Sequence, residues 1–451
     1  MIHKFKQNDL NIVVDVNSGA IHVVDDIVYA CLDYVETHTK EEVVAKLSGQ
    51  FDAENIAEVF DELKELKDEG LLFASDEYID DLDLDKNEPV IKAMCLHVAH
   101  DCNIRCAYCF ASQGEYEGHR SLMDLETGKK SLKFLAENSG NRKNLEVDFF
   151  GGEPLMNMDV VKELVTYGRE LEKEHNKLFR FTMTTNGVLL NDENIDYIND
   201  NMHNVVLSLD GRAEVNDKMR YNIKGGGTYD TIVPKLQKMV EKRGDKSYYV
   251  RGTFTKFNTD FAKDVIHMAD LGFKQTSVEP VVAEPHHNYA LDESDLETIF
   301  QQYEELAEVL IERKGTDKEF NFFHFNVDLT QGPCVIKRMS GCGAGAEYIA
   351  VTPEGDIYPC HQFVGNEDFR IGHVDTGIAN KQMSVDFKNA HVYNKEECKE
   401  CWAKFYCSGG CHANAFNFNN DILVPYKVGC EMEKKRLECS LYIQAKTMME
   451  G

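Results

Sequence analysis

The chain reads as an α/β protein: a partial (β/α)6 barrel, with a small winged-helix-like unit before it and a cysteine-rich domain after it. Three observations predict this. Short apolar runs alternate with helix-length amphipathic stretches from about residue 90 to 285, an acidic stretch ending in proline precedes them, and the last third is rich in cysteine, glycine and turn residues. Strand-helix alternation implies a parallel sheet. The strands expected are 93–98, 145–150, 179–185, 205–210, 248–255 and 277–282. Six units are too few for a closed eight-unit barrel, which leaves an open or partial one with functional groups at the carboxyl ends of its strands.

The first unit, 1–85, takes Asn11-Ile-Val-Val-Asp-Val and Ala20-Ile-His-Val-Val-Asp as strands joined at Asn17-Ser-Gly, a turn signal. Behind the cap candidate Asp52, the residues Ile56, Val59, Phe60, Leu63 and Leu66 recur at helical spacing until Gly70 ends the helix. Two or three strands with three helices make a winged-helix-like module. The run Asp76-Glu-Tyr-Ile-Asp-Asp-Leu-Asp-Leu-Asp-Lys-Asn-Glu-Pro suits a solvated linker, with a boundary near 85. The barrel then spans 86–315. In 316–451, which has few long periodic segments, metal ligation is expected to substitute for part of the core.

A chain of 451 residues has core enough to stay closed without disulfides. The 49 Lys and Arg stand against 78 Asp and Glu, a net charge of −29 that repels phosphate backbones and anionic lipid. The helix after Asp52 follows suit: Asp52, Glu54, Glu58, Asp61, Glu62, Glu65, Asp68 and Glu69 face only Lys64 and Lys67, so it is unsuited to a DNA groove. No nucleic-acid or membrane partner is expected. No apolar run is long enough for a bilayer span, and the amino terminus turns polar too early for a secretory signal, so the expected location is the cytoplasm. Fourteen cysteines in a reducing compartment point to metal or redox chemistry. None lies between Cys109 and Cys334, so two cysteine centres are implied.

The first centre is Cys102-Asn-Ile-Arg-Cys106-Ala-Tyr-Cys109, directly after the first barrel strand. Three thiolates on one loop can hold three corners of an iron-sulfur cube and leave one iron free; a three-cysteine zinc site is the alternative. This CxxxCxxC, with Tyr108 before its third cysteine, resembles the cluster motif of the radical S-adenosylmethionine enzymes. Phe149-Phe-Gly151-Gly152-Glu153-Pro154 resembles the family's GGEP motif, which takes the amino group of the methionine moiety. Two glycines allow close backbone approach, and Glu153 can accept from an ammonium. Thr184-Thr-Asn186-Gly and Ser208-Leu-Asp210-Gly resemble the segments lining the ribose and carboxylate, and Arg220 falls where relatives aim an arginine at the carboxylate.

The second centre runs Cys342, twelve residues, Gly355, four residues, Cys360, then Cys398-Lys-Glu-Cys401, Cys407, Cys411 and Cys430. It resembles the seven-cysteine signature of the SPASM extension, in which two auxiliary four-iron clusters share the cysteines. The resemblance implies Cys398, Cys401, Cys407 and Cys430 for an outer cluster, and Cys342, Cys360 and Cys411 for an inner one. The inner set is one ligand short, since Gly343-Ala-Gly-Ala-Glu-Tyr-Ile-Ala contains no cysteine. Either Cys334 folds back to supply it, or an iron stays open; the open iron is the reading preferred here, because it could bind a substrate thiolate. His361 stands where relatives place an acidic base. Cys31, Cys95 and Cys439 fit no motif position and read as inert core cysteines.

The amino-terminal module resembles the peptide-recognition element of ribosomal peptide maturases, where a leader adds as a strand to a sheet edge. Together the three parts resemble the SCIFF maturases of six-cysteine peptides. This implies S-adenosylmethionine, three [4Fe-4S] clusters, a precursor peptide, and a reductant such as a ferredoxin or flavodoxin. The implied reaction is an oxygen-sensitive thioether link from a cysteine sulfur to the α-carbon of an acceptor residue, threonine by this resemblance. Two alternatives stand beside it. One is a sulfatase-maturing, formylglycine-generating enzyme, which would need a fully ligated inner cluster and no leader-binding module. The other is a zinc-stabilised peptide-binding or regulatory protein.

Overall fold

In the computed structural model, which describes residues 1–77, 90–116, 118–327 and 338–450, the chain begins with an antiparallel meander. Its strands are β1 (Ile2–Gln7), β2 (Leu10–Asp15) and β3 (Ile21–Val24), in that spatial order. Three helices follow: α1 (Asp26–Cys31), α2 (Lys40–Leu47) and α3 (Ala53–Asp68). Each starts on a side chain that accepts from its first turn, Asp25, Thr39 and Asp52 respectively, satisfying amides that would otherwise be orphaned. Ile56, Phe60 and Leu63 bury against Val13, Cys31 and Val43 in a small core of their own. The two expected strands and the helix behind Asp52 are present; β1 is the addition, with only Phe5 and Gln7 buried and Lys4 and Lys6 on the opposite face. The linker 78–89 and the expected boundary near 85 lie outside the described residues.

The central elements run β4 (Ala93–His100), β5 (Ile104–Cys106), β6 (Ser121–Leu122), α4 (Leu125–Glu137), β7 (Asn144–Gly151), α5 (Met158–His175), β8 (Leu178–Thr185), α6 (Asp192–Asn201), β9 (Asn204–Ser208), α7 (Ala213–Met219) and β10 (Arg220–Asn222). Then come α8 (Tyr229–Arg243), β11 (Tyr248–Phe254), α9 (Ala262–Asp270), β12 (Gln275–Pro280), α10 (Leu296–Arg313) and β13 (Asn321–Phe322). The carboxyl-terminal part adds β14 (Tyr348–Val351), β15 (Asp356–Tyr358), β16 (Gly372–His373) and β17 (Gly377–Ile378).

All six expected strands are there and pair in parallel, but the sheet is larger than six. Its path is β13-β12-β11-β9-β8-β7-β4-β14-β15-β16-β17, and the run from β13 to β14 is parallel throughout. No pairing joins β13 to β17 among the described residues, so the hydrogen-bonded sheet is open. Both added parallel strands come from the 316–451 stretch, so the sheet crosses the boundary expected at 315. At two and four residues, β13 and β14 are too short to carry a readable alternation.

One face of the sheet is core: Met94, Leu96 and Val98 on β4, Val147 and Phe149 on β7, and Phe181 and Met183 on β8 are buried with the helices. Residues one position out of phase, Phe150, Thr184, Ser208 and Arg251, line a cavity on the other face. A further departure is the helix Lys427–Glu450, unforeseen in a segment read as lacking long periodicity. It is wedged between the meander and α10, with His3 3.0 Å from Glu438 on one side and Lys435 ion-paired to Glu304 on the other. A helix covered on two sides carries no single apolar stripe.

The turn after β9 is pinned from below. Asp264, fully buried on α9, accepts from the Arg212 amide at 3.0 Å, its Nε at 2.7 Å and Asn258 Nδ2 at 3.0 Å. Asp264→Ala leaves Arg212 and Asn258 without these bonds, at a cost of roughly 2–4 kcal/mol. A fall in the denaturation midpoint with unchanged slope is the expected result, and an unchanged midpoint would show the pair to be dispensable.

Candidate functional site: two cysteine centres on one cavity

β5 pairs antiparallel with β10, setting Cys106 opposite Arg220, while Cys109 closes a turn by donating its amide to the Cys106 carbonyl at 3.1 Å. Cys102 leaves β4 in a crowded corner, where a Cβ on Gly114 would stand 3.0 Å from the Cys102 Cβ. Burial pushes the Cys102 thiol up to about 11 and the Cys106 thiol to about 12, so as free thiols they keep their protons and a bound metal would displace them.

The three cysteines line a cavity of about 150 Å³ together with Tyr108, Gly151, Gly152, Asn186, Ser208 and Arg220. Thus the carboxyl ends of β4, β7, β8 and β9 converge there as expected. The two glycines are required by contact: a Cβ on Gly151 would lie 2.1 Å from the Ala99 carbonyl oxygen, and one on Gly152 2.1 Å from that of Asp101. Glu153 behaves differently from the other motif residues. Fully buried, it accepts from Thr185 Oγ1 at 2.7 Å, the Asn186 amide at 2.8 Å and the Leu155 amide at 3.1 Å, so it ties the ends of β7 and β8 together and does not line the cavity. Asn186 donates to Asn103 Oδ1 at 2.8 Å, fixing the cysteine loop. The Arg220 guanidinium donates to Tyr108 at 3.1 Å, and Tyr108 in turn donates to Asp210 at 2.7 Å; the Arg220 Nε is buried with no hydrogen-bond partner. Burial raises the Asp210 carboxyl, against the pull of Arg220.

Sequence reading missed Arg251 in this cavity, and singled out Phe150 and Thr184 only as parts of their motifs. Arg251 pairs with Glu279 at 2.6 Å. Asp148, beside them on β7, accepts from Thr184 at 3.1 Å, and burial pushes its carboxyl to about 7. Their alternation with core residues was the available signal.

In the carboxyl-terminal part, Cys342 and Cys411 lie close enough to act on the buried Cys360 thiol, and Cys398, Cys401 and Cys430 on that of Cys407. Burial pushes Cys407 up to about 11 and Cys430 to about 12. Cys334 lies outside the described residues. The loop after Cys342 turns through two left-handed glycines, Gly343 (φ +75°) and Gly345 (φ +74°), and enters β14, which pairs with β4. His361 is held 3.3 Å from the Tyr348 hydroxyl, with its ring 5.1 Å from that of Phe150, and burial lowers it to about 4. Cys31, Cys95 and Cys439 are buried.

A cavity of about 800 Å³ lies between the two centres. Tyr108, Cys109, Phe110 and Tyr116 from the first centre form one wall; Gln362–Glu367, just after Cys360, and Phe416, just after Cys411, form another. Tyr108, Cys109 and Phe110 also border the smaller cavity, so the two adjoin.

Residues 96–271 match the Radical SAM superfamily, and 342–402 match SPASM, an iron-sulfur cluster-binding domain. The chain therefore carries a radical SAM domain followed by a SPASM domain. It is 26% identical to a cysteine-type anaerobic sulfatase-maturating enzyme of Clostridium novyi over 70% of this chain and 86% of that one. In fold it is similar to native anSMEcpe with bound AdoMet and a Kp18Cys peptide (TM-score 0.65, 19% identity, 79% of this chain and 99% of that one). It is also similar to SuiB of Streptococcus suis bound to its precursor peptide SuiA (TM-score 0.52, 15% identity, 93% and 96%).

The residues fit what these domains hold. All described cysteines are free of disulfides, so each could give one thiolate to a cube corner. The glycine cradle and the unpartnered Arg220 Nε fit a ligand bearing a carboxylate. Among the described residues no helix is long and apolar enough to cross a membrane.

Gly152→Ala must push the loop at Asp101 outward. At least a tenfold loss of S-adenosylmethionine affinity, with iron content kept, is expected by equilibrium dialysis. Asp148 yields a pH prediction: the folded chain holds its proton up to about 7, while the unfolded chain releases it near 4. Its contribution is therefore present below pH 4 and lost as pH rises to 7. Relative to Asp148→Asn, wild type should lose up to about 4 kcal/mol across that window, at roughly 1.36 kcal/mol per pH unit, read by denaturation at both ends.

Proposed function

We propose that the protein is a radical S-adenosylmethionine peptide maturase that installs a thioether between a cysteine sulfur and the α-carbon of an acceptor residue, by resemblance threonine, in a ribosomally made six-cysteine precursor. The observation that carries this reading is the 800 Å³ cavity lined by Cys109 of the first centre and by the segments that follow Cys360 and Cys411 of the second, room for a peptide beside both. Cys102, Cys106 and Cys109 would hold the radical-generating cluster. Gly151, Gly152, Asn186, Ser208 and Arg220, beside Tyr108, would hold S-adenosylmethionine. Cys342, Cys360 and Cys411 would hold an inner auxiliary cluster, and Cys398, Cys401, Cys407 and Cys430 an outer one.

When bound, these groups supply a 5′-deoxyadenosyl radical that removes a hydrogen atom from the acceptor residue. The chain's own part is placement. Arg220, held by Tyr108 and Asp210, clamps the carboxylate; Phe110, about half exposed, and Tyr116 separate the radical source from water at the cavity mouth. Joining a carbon-centred radical to a substrate thiolate leaves one electron over, and Cys342, Cys360 and Cys411 hold the nearest acceptor. A ferredoxin or flavodoxin would supply the initiating electron.

The amino-terminal module would take the precursor's leader. β3 pairs with β2 on one side and with no strand on the other among the described residues, and Val23 and Leu71 stand exposed beside that edge. This module, and the SuiA-bound structure that matches over 93% of the chain, favour a ribosomal peptide over a sulfatase as substrate.

Anaerobically purified protein should carry about twelve irons, falling to about eight in Cys102/Cys106/Cys109→Ala with loss of 5′-deoxyadenosine formation, at four irons per cluster. Zinc in place of iron would overturn the reading in favour of a zinc-stabilised binding protein. Incubated with a six-cysteine precursor, wild type should yield a product lighter by two hydrogens per crosslink; formylglycine in a sulfatase peptide and none with the precursor would favour the sulfatase alternative. Leu71→Asp should weaken leader binding about tenfold and leave peptide-independent S-adenosylmethionine cleavage unchanged; equal affinity would remove this edge from the leader site.

A further inference from the structure

The segment that joins the two auxiliary cysteine sets contains a charge that no carboxylate answers. Lys395 is fully buried. Its Nζ donates to the Gly409 carbonyl at 2.7 Å and lies 3.4 Å from His412 Nδ1, and none of the described carboxylates comes within ion-pairing distance of it. Burial lowers its ammonium, and the groups that would hold it charged are the thiols of both sets once a metal takes their protons: Cys398, Cys407 and Cys430 of the outer, Cys411 of the inner. His412 supplies no counter-charge, since an imidazole is either neutral or cationic. The carbonyl that Lys395 grips belongs to Ser408-Gly409-Gly410, three successive left-handed residues (φ +59°, +84° and +71°) that carry the chain from Cys407 of one set to Cys411 of the other.

A buried ammonium without a counter-charge is costly, and proteins keep one where something anionic binds. A four-iron cluster with its thiolates is such an anion, and taking up an electron makes it more negative by one unit. Resting on the two-cluster reading above, we infer that Lys395 is the shared counter-ion of the two auxiliary clusters, a positioning residue that raises both reduction potentials and so favours uptake of the electron left over by thioether formation. The electron comes from the carbon-centred radical as the carbon-sulfur bond forms, and it leaves later for an external one-electron acceptor such as an oxidised ferredoxin or flavodoxin. Lys395 changes how readily the clusters take it and exchanges no atom itself.

The test is a potentiometric titration of the loaded full-length enzyme, followed by the electron paramagnetic resonance of the auxiliary clusters, with Cys102/Cys106/Cys109→Ala as background so that only those clusters report. Lys395→Gln keeps a donor for Gly409 without the charge; Lys395→Arg keeps the charge. The expected result is at least a tenfold lower reduced-to-oxidised ratio at a given potential in Lys395→Gln, equal to 59 mV for one electron, and recovery in Lys395→Arg. Potentials in Lys395→Gln matching the background protein would overturn the inference. If Lys395→Gln fails to hold its auxiliary iron, Lys395 is required to build the clusters, whatever Lys395→Arg does, and the inference falls. Absence of iron from the background protein would instead defeat the two-cluster reading itself.

Discussion

Parallel pairing of β4 on both its edges sets the geometry of everything at the site. On one side β4 pairs with β7, whose end supplies Gly151 and Gly152; on the other it pairs with β14, which leads through β15 into Cys360; its own end runs into Cys102. One strand therefore fixes the first cysteine loop, the glycine cradle and the inner cysteine set in a common frame. The frame is braced at its far end, where the Lys92 amide donates to the Glu347 carbonyl at 2.7 Å and Arg142 pairs with the Glu347 carboxylate at 3.0 Å. A slip by one residue on either edge would exchange the core and cavity faces and separate the two centres.

Electrostatics divides the site into groups already satisfied and groups that await a ligand. Glu153 accepts from three donors and Asp264 from Arg212 and Asn258, so both brace the scaffold. Arg220 retains a buried Nε without a partner, the cluster thiols are held above their ordinary range by burial, and Lys395 faces thiols with no carboxylate. Each of these is unfavourable in the bare chain and is relieved by an anionic cofactor or by a metal that displaces thiol protons.

Much of the scaffold was legible because its signals are local. The six parallel strands carry β-branched and aromatic runs long enough to read, and CxxxCxxC, Gly-Gly-Glu-Pro and the seven-cysteine spacing each sit on one short stretch of backbone. The reading failed where the cause was distant. β13 and β14 are strands because β12 and β4 offer them an edge. The helix Lys427–Glu450 hides its periodicity by packing on two sides. Glu153, expected to accept from an ammonium, also accepts from the end of β8, a contact that no local pattern announces.

The sequence by itself determined the cysteine inventory, its division into a three-thiol loop and a seven-thiol array, and the glycines that allow close backbone approach, since spacing along a chain limits which thiols can meet. Only the tertiary structure decided that the first cysteine loop and the segments following Cys360 and Cys411 line one cavity, that Arg220 reaches Tyr108 and Asp210, and that Lys395 lies between the auxiliary sets. These relations join residues far apart in the chain, held by strand pairing and burial, which no local pattern encodes.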